Sequence, residues 1–298
     1  MSGNASAPTT SSASAGTAGV PVPGTAGRLG GMFSELRAAG RAGLVGYLPA
    51  GYPDLPRSQR LLRTMIESGC DLVEVGASFS DPVLDGPVVA RAQHQALRGG
   101  TRLPEVLRTV EAVTSAGGRA VVMSYFNPII AYGQDAFARD LAAAGGSGVI
   151  TPDLIVDEAE TWLAATESAD IDPIFLVAPS SPAERIALTA GAGRGFLYAA
   201  AVMGVTGARD SVSSVAPELV ARCRQVTTLP IGVGLGVRNG AQAAEIAAFA
   251  DAVIVGSAFV ARAGLEDRAA AEAAIAELAT ELADGIAGAA SDDQETPA

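Results

Sequence analysis

Two carboxylic acids, Glu74 and Asp85, have the residue type and the spacing for proton-transfer chemistry. Glu74 lies near the end of an apolar run, residues 72–75, and Asp85 follows eleven positions later in a loop. A carboxyl group buried in such a run must be paired or take up a proton, because burial disfavours its charged form. With its pKa raised in this way, it can act as a general acid or base near neutral pH. A second carboxyl in a different environment lets the pair divide the two roles.

The same residues also have a purely structural interpretation. Glu74 could cap a neighbouring helix or pair with a structural arginine, and Asp81 and Asp85 could do no more than shape turns. Asp81, directly before Pro82, has the stronger structural claim of the two aspartates. The residue types alone leave both interpretations open.

Glycines follow three later apolar runs at positions where a phosphate group could bind. Residues 203–209 (MGVTGAR) follow the sixth run, Gly234 and Gly236 follow the seventh, and Gly256-Ser257 follows the eighth and opens a helix. Glycine lets backbone N–H groups approach an anion, and the dipole at a helix start favours the negative charge. These glycines could instead serve only to make tight turns. Their recurrence at corresponding places favours a phosphate site.

Short apolar runs alternate with helical patterns along the chain and are expected to position these residues. Each run is apolar on both faces, as in parallel strands that are buried on both sides. Strict alternation of eight runs favours a single (β/α)8 (TIM) barrel, with a doubly wound parallel sheet as the alternative. Active sites of such barrels lie at the C-terminal strand ends, where the acidic and glycine-rich segments fall. The predicted strands are residues 44–48, 72–75, 120–123, 148–150, 174–177, 196–199, 231–233 and 252–255.

The two ends of the chain are expected to lie outside the barrel. Residues 1–27 are mainly Ser, Thr, Ala, Gly and Pro, which predicts a disordered tail, and they lack the pattern of a signal peptide. Residues 287–298 are expected to form a short acidic tail. The catalytic barrel is therefore assigned to residues 28–286, with an extra N-terminal helix at residues 32–36 that plugs its floor.

Composition narrows the class of protein. The formal charge is -12, from 20 basic and 32 acidic residues, and such a surface repels nucleic acid and anionic membranes. No apolar run is long enough to span a membrane. Two cysteines, Cys70 and Cys223, offer no disulfide framework, which indicates a cytoplasmic protein. A single histidine, His94, leaves little room for a histidine-rich metal site, so none is expected.

Several motifs together resemble the tryptophan synthase alpha subunit family. They occur in the order and at the spacing of that family, over about residues 32–260. The matching segments are FSDPVLDGP at residues 79–87 after a strand ending in Glu74, YFNP at 125–128 followed by Tyr132-Gly133, TPDL at 151–154, IFLVAP at 174–179, GVTGAR at 204–209, GLG at 234–236 and VGS at 255–257.

This resemblance implies an activity, a partner and a set of site residues. The activity is cleavage of indole-3-glycerol phosphate to indole and glyceraldehyde 3-phosphate, a lyase step of L-tryptophan biosynthesis. The resemblance implies no cofactor in this chain, and a beta subunit carrying pyridoxal phosphate as its partner in an α2β2 heterotetramer. The residues that match functional positions of the family are Glu74 and Asp85 (catalytic), Gly207, Gly236, Gly256 and Ser257 (phosphate), Tyr47, Met123, Tyr198, Leu235 and Ile254 (indole pocket) and Thr206 (mobile loop).

The chemistry implied by this resemblance suits the two carboxyl groups. We expect Glu74 to handle the protons, and Asp85 to accept the indole N–H and stabilise positive charge on the ring. A sugar-phosphate epimerase would need metal ligands, and an indole-glycerol-phosphate-forming synthase would need a lysine in a strand, which is not seen. A regulatory partner without activity would be expected to lose Glu74 or Asp85. A lyase that works without a partner stays open.

Overall fold

The structure is a computed structural model that describes residues 27–201 and 215–292, with only the backbone of residues 290–292. Its strands are β1 (Gly43–Pro49), β2 (Leu72–Gly76), β3 (Ala120–Met123), β4 (Gly148–Ile150), β5 (Asp172–Ile174), β6 (Leu176–Val177), β7 (Leu197–Ala200), β8 (Ile231–Gly234) and β9 (Ala252–Val255). Its α-helices are α1 (Gly30–Ala38), α2 (Leu55–Glu67), α3 (Pro87–Arg98), α4 (Leu103–Thr114), α5 (Phe126–Tyr132), α6 (Gln134–Ala143), α7 (Glu160–Ser168), α8 (Ala183–Ala192), α9 (Val215–Arg224), α10 (Gly240–Ala247), α11 (Ser257–Ala263) and α12 (Arg268–Asp292).

The strands form one parallel sheet in the order β5-β4-β3-β2-β1-β9-β8-β7-β6. The two ends of this order, β5 and β6, are consecutive in the chain and separated only by Phe175. The sheet therefore returns to its start, as in a barrel, whereas the edges of a doubly wound sheet stay apart. The predicted barrel is confirmed.

The predicted strands agree with the observed ones to within one or two residues, except at the fifth. There the prediction was one strand at residues 174–177, and the structure has β5 and β6 on either side of Phe175. The reason is a change of partner, because β5 pairs with β4 and β6 pairs with β7. A strand that closes a barrel joins the last neighbour to the first, and apolar periodicity carries no signal for this.

The inner face of the barrel includes Glu74. Successive residues of a strand point to opposite faces, so Glu74 shares the face of Leu72. Leu72 packs in the inner core with Val45 and Val121 from the flanking strands. Glu74 is thus the residue of β2 that turns towards the barrel axis near its C-terminal end.

The N-terminal helix α1 covers the opposite end of the barrel, as predicted. Its residues Met32, Phe33 and Leu36 are buried and belong to the same core as the inner strand residues. Asp172, the first residue of β5, is a fully buried carboxyl beside the start of this helix. It accepts hydrogen bonds from the backbone N–H groups of Arg28 and Leu29, both at 3.0 Å. A negative charge at a helix start is favoured by the helix dipole.

The C-terminal boundary differs from the prediction. Helix α12 continues to Asp292, so residues 287–292 of the expected tail are helical. Alanine is the best helix former, and the alanine-rich sequence sustains the helix through two glycines. Residues 1–26 and 293–298 lie outside the described residues, as do Thr206 and Gly207 in the segment 202–214.

Two expectations from composition concerned a membrane span and the cysteines. Within residues 27–201 and 215–292, we find no helix with the length and apolar character that crossing a membrane requires. Both cysteines are free and buried. The helical patterns of the sequence predict both cysteines within helices. Cys223 does lie in α9, whereas Cys70 lies just after α2.

Candidate active site

A cavity of about 150 Å³ opens at the C-terminal ends of the barrel strands. Every predicted site residue that the structure describes lines this single cavity. They are Glu74, Asp85, Gly236, Gly256, Ser257, Tyr47, Met123, Tyr198, Leu235 and Ile254. Gly234, which the sequence analysis named among the candidate phosphate glycines, also lines the cavity. Sequence reasoning missed the other lining residues, which are Leu84, Val89, Pro152, Leu176 and Ala200.

Glu74 is a buried acid at the C-terminal end of β2. It is 1% exposed, and its Oε1 atom has no hydrogen-bond partner among the described residues. Burial raises its pKa from 4.5 to about 8. At neutral pH the group is therefore largely protonated. No ion pair or helix cap within the described chain involves Glu74, which removes support for the structural interpretation of this residue.

Asp85 lies in a different environment, at the end of the loop after β2. Its Oδ2 atom accepts hydrogen bonds from the Tyr125 hydroxyl and from Gln93 Nε2, both at 3.0 Å. Burial raises the pKa of Asp85, while these two hydrogen bonds lower it. Because the donors favour the charged form, Asp85 is the better candidate for a carboxylate and Glu74 for a neutral acid.

Tyr125 and Gln93 also hold the loop that carries Asp85. The hydroxyl oxygen of Tyr125 accepts the backbone N–H of Leu84 at 2.9 Å, and its ring stacks on Phe79 with centroids 5.1 Å apart. Gln93 accepts the backbone N–H of Phe79 at 3.1 Å. The loop is thus fixed near both of its ends.

Neither of these two residues was singled out from the sequence, although each left a signal. Tyr125 begins the YFNP motif directly after β3. Gln93 is a polar residue on the buried face of α3, in helical spacing with Val89 and Ala96. A buried amide on an apolar stripe must find hydrogen-bond partners, so its position indicates a specific role.

Aromatic and aliphatic side chains form the apolar walls of the cavity. Tyr47 and Tyr198 are its largest members, and burial raises the pKa of both hydroxyls well above the usual value. Glycines give these rings room. A Cβ atom at Gly76 would lie 2.6 Å from the hydroxyl of Tyr47, and one at Gly234 would lie 2.5 Å from that of Tyr198. The resulting slot suits a flat apolar group.

The glycine-rich end of the cavity lies at β8 and β9. Gly236 has a φ of +70°, which L-residues rarely adopt, in the turn after β8. Gly256 caps α11 and Ser257 begins it. Among the described lining residues none is cationic. An anion placed here would therefore meet backbone N–H groups, a helix start and the Ser257 hydroxyl.

A family model described as tryptophan synthase alpha chain matches residues 33–287, which spans the barrel from α1 into α12. The chain belongs to the tryptophan synthase alpha chain family. The resemblance seen in its motifs is thereby confirmed. Its role is that of the alpha chain in tryptophan biosynthesis, with the indole-3-glycerol phosphate lyase activity of the family.

Two alpha chains of other organisms are similar to this chain in sequence. The alpha chain of Mycobacteroides abscessus is 59% identical over 260 residues, covering 87% of this chain and 97% of the relative. That of Mycobacterium tuberculosis is 63% identical over 235 residues, covering 79% of this chain and 87% of the relative.

Solved structures of alpha chains share the fold. A chain of the Mycobacterium tuberculosis tryptophan synthase has a TM-score of 0.83 at 57% identity, covering 88% of this chain and 98% of that one. The alpha subunit from Legionella pneumophila has a TM-score of 0.76 at only 30% identity, covering 87% and 98%. The barrel is thus kept where most side chains differ.

Proposed function

We propose that Glu74 and Asp85 together cleave indole-3-glycerol phosphate in the cavity at the strand ends. The observation that carries this proposal is the contrast between the two carboxyls in one cavity. One is buried, its Oε1 atom has no hydrogen-bond partner among the described residues, and burial raises its pKa to about 8. The other is held by two donors that favour its charge. Two carboxyl groups in such different environments can act as acid and as electrostatic stabiliser in the same reaction.

The proposed reaction begins with a proton from the Glu74 carboxyl to C3 of the indole ring. Positive charge then spreads onto the ring nitrogen, whose N–H donates to Asp85. Oδ1 of Asp85 is available for this contact, because within the described residues only Oδ2 accepts hydrogen bonds. The negative charge of Asp85 stabilises the cation in a site of low dielectric constant.

Bond cleavage follows from the same groups. The Glu74 carboxylate, now without its proton, takes the proton of the glycerol hydroxyl next to the ring. The oxygen of this glycerol hydroxyl then forms the aldehyde C=O as the bond between C3 and the glycerol carbon breaks. The electron pair of the broken bond returns to the ring and neutralises its positive charge. Glu74 ends the cycle protonated, as it began. The reaction needs only proton transfer, in agreement with an alpha chain that carries no cofactor.

Substrate orientation is proposed to follow the polarity of the cavity. The indole ring would lie between Tyr47, Met123, Tyr198, Leu235 and Ile254, and the phosphate at Gly236, Gly256 and Ser257. Gly207 and Thr206 lie outside the described residues, and we propose for them the roles implied by the family resemblance, a phosphate contact for Gly207 and the family's sixth-loop position for Thr206. Backbone N–H groups can bind a phosphate without cationic side chains, which suits a chain with a net charge of -12.

A beta subunit that binds pyridoxal phosphate is the proposed partner, in an α2β2 heterotetramer in the cytoplasm. Support comes from apolar side chains exposed in the segments that follow strands β2, β3 and β4 at the mouth of the barrel. Val83 is 72% exposed in the Asp85 loop, and Ile130 and Ile155 are 53% and 52% exposed after β3 and β4. Exposed apolar groups clustered at one end of a protein mark interaction sites. Partner contact there would act on the Asp85 loop.

The test of this function is indole release from indole-3-glycerol phosphate by the purified full-length chain, with and without a tryptophan synthase beta subunit. We expect slow release by the chain alone and faster release with the partner. No indole under either condition would contradict the proposed reaction. An equal rate under both conditions would contradict only the coupling between the subunits.

A synthase that uses a lysine is not a competing function, because all 20 basic residues of the chain are arginines.

A further inference from the structure

The side-chain amide of Gln93 connects three parts of the active site. It lies on α3 and is 2% exposed. Its Oε1 atom accepts the backbone N–H of Phe79 at 3.1 Å, and its Nε2 atom donates to Asp85 Oδ2 at 3.0 Å and to the Tyr47 hydroxyl at 3.4 Å. One buried amide therefore contacts the start of the catalytic loop, its end and the wall of the cavity.

These contacts leave the amide only one orientation. A backbone N–H can only donate, so the atom facing Phe79 must be the amide oxygen. The amide nitrogen then faces Asp85, to which it presents a hydrogen. A carboxylate accepts this hydrogen bond fully, whereas a proton on Oδ2 would compete with it. The fold thus places a fixed donor against Asp85 that favours its ionised form.

We infer that Gln93 is a positioning residue that holds Asp85 as an oriented carboxylate towards the indole nitrogen. This inference rests on the proposed role of Asp85. Tyr125, a buried residue just after β3, supplies a second donor to the same oxygen. Gln93 adds direct hydrogen bonds that tie the charge of Asp85 to the backbone of the loop start at Phe79 and to the Tyr47 hydroxyl. Loop position and carboxylate orientation are therefore set together.

Among the titratable groups that face Asp85, none other than Asp85 itself is expected to cause the fall in activity at low pH. Tyr125, Tyr47 and Tyr198 face it from three elements, and burial raises the pKa of each of these hydroxyls above its usual value. They stay neutral over the working range. Glu74 faces the same cavity but titrates near pH 8. The substrate phosphate also titrates in acid, yet identically for every variant.

The test uses Gln93→Glu, which keeps the size of the side chain and still accepts the Phe79 N–H. It replaces the donor to Asp85 by a second carboxyl oxygen, so one of the two groups must hold a proton more strongly. Gln93→Met removes the donor without adding charge. Gln95→Glu, an exposed position on the same helix, is the matched control. Indole release by the full-length chain without partner is measured as kcat/KM from pH 5 to 9.

We expect the acid limb of Gln93→Glu to move to higher pH by roughly one unit, with a loss of rate of about tenfold below it. Gln93→Met should move in the same direction by less, and Gln95→Glu should match the unsubstituted chain. A Gln93→Glu profile that is lowered equally at all pH values, or that equals that of Gln95→Glu, would overturn the inference. If Gln93→Glu does not fold, Gln93→Met decides by the same criterion.

Asp85→Asn, measured in parallel, distinguishes a failure of the proposed reaction from a failure of the positioning role of Gln93. An active Asp85→Asn chain would overturn the proposed function, and the role of Gln93 with it. An inactive Asp85→Asn chain together with an unshifted Gln93→Glu profile would overturn only the role of Gln93.

Discussion

The hydroxyl of Tyr125 lies 3.0 Å from Asp85 Oδ2 and donates its hydrogen to that oxygen. The same hydroxyl accepts the backbone N–H of Leu84 at 2.9 Å. A single hydroxyl after β3 thus hydrogen-bonds both the carboxylate of Asp85 and the backbone of the loop after β2. Two barrel loops that are distant in sequence are coupled at the carboxyl group that is proposed to meet the indole nitrogen.

Removing this hydroxyl should weaken catalysis more than folding. In Tyr125→Phe the ring can still stack on Phe79, but Asp85 keeps only the donor from Gln93. A hydrogen bond to a charged group contributes about 1.5–3 kcal/mol, so we expect kcat/KM to fall roughly 10- to 100-fold. Tyr132→Phe is the control, because its hydroxyl bonds Asp140, away from the cavity lining. Equal activity of the two variants would contradict the role given to Tyr125.

Replacing the proposed acid should abolish most turnover. Glu74→Gln retains shape and hydrogen-bonding atoms but cannot deliver a proton, and a general acid typically contributes about 10²–10⁴-fold in rate. Substrate binding, measured by calorimetry or by displacement of an indole analogue, should change little. Glu111→Gln, at an exposed position of α4, should be fully active. Normal indole release by Glu74→Gln would remove Glu74 from the mechanism.

Indole release should fall on both sides of a pH optimum, on the alkaline side because Glu74 loses its proton and on the acid side because Asp85 gains one. Glu74 must hold its proton, and its pKa of about 8 predicts that activity falls as the pH rises above that value. Asp85 must be ionised, so activity falls as the pH drops through its pKa, which burial raises. The measurement is kcat/KM against pH, whose limbs report the free enzyme. Unchanged activity up to pH 10 would contradict a neutral Glu74 as the acid.

Asp172 should matter for stability rather than for chemistry. It is fully buried at the floor of the barrel, where it accepts the N–H groups of Arg28 and Leu29 and lies 3.5 Å from Arg194. Asp172→Asn keeps one acceptor but turns an NH2 group towards a donor, and a buried group left unpaired costs about 1–3 kcal/mol.

Urea unfolding measures this effect. We expect the free energy of unfolding of Asp172→Asn to be lower by about 2 kcal/mol, while indole release at neutral pH stays near normal. Asp135→Asn, an exposed position at the start of α6, should change stability by less than about 0.5 kcal/mol. Loss of activity without loss of stability in Asp172→Asn would place this residue in the site after all.

Much of the site could be found from the sequence because barrels obey a simple geometric rule. Glu74 and Ser257 are 183 residues apart, yet both line one cavity, since each comes at the C-terminal end of a parallel strand. Alternation of apolar runs and helices was sufficient to identify those ends. The helical spacing of Gln93 with Val89 and Ala96 places it on the buried face of α3, but the sequence does not show which atoms its amide would meet.

The sequence by itself determined which residues could do chemistry and which end of the barrel holds them, because residue type and strand periodicity are local properties. It could not determine that Glu74 lacks any partner within the described residues, or that Asp85 faces two donors. The second of these facts depends on atoms from the loop after β2, from α3 and from the loop after β3 meeting at 3.0 Å. Protonation follows from burial and from neighbouring donors, so only the tertiary structure supplies the physical reason for the roles that the resemblance implied for Glu74 and Asp85.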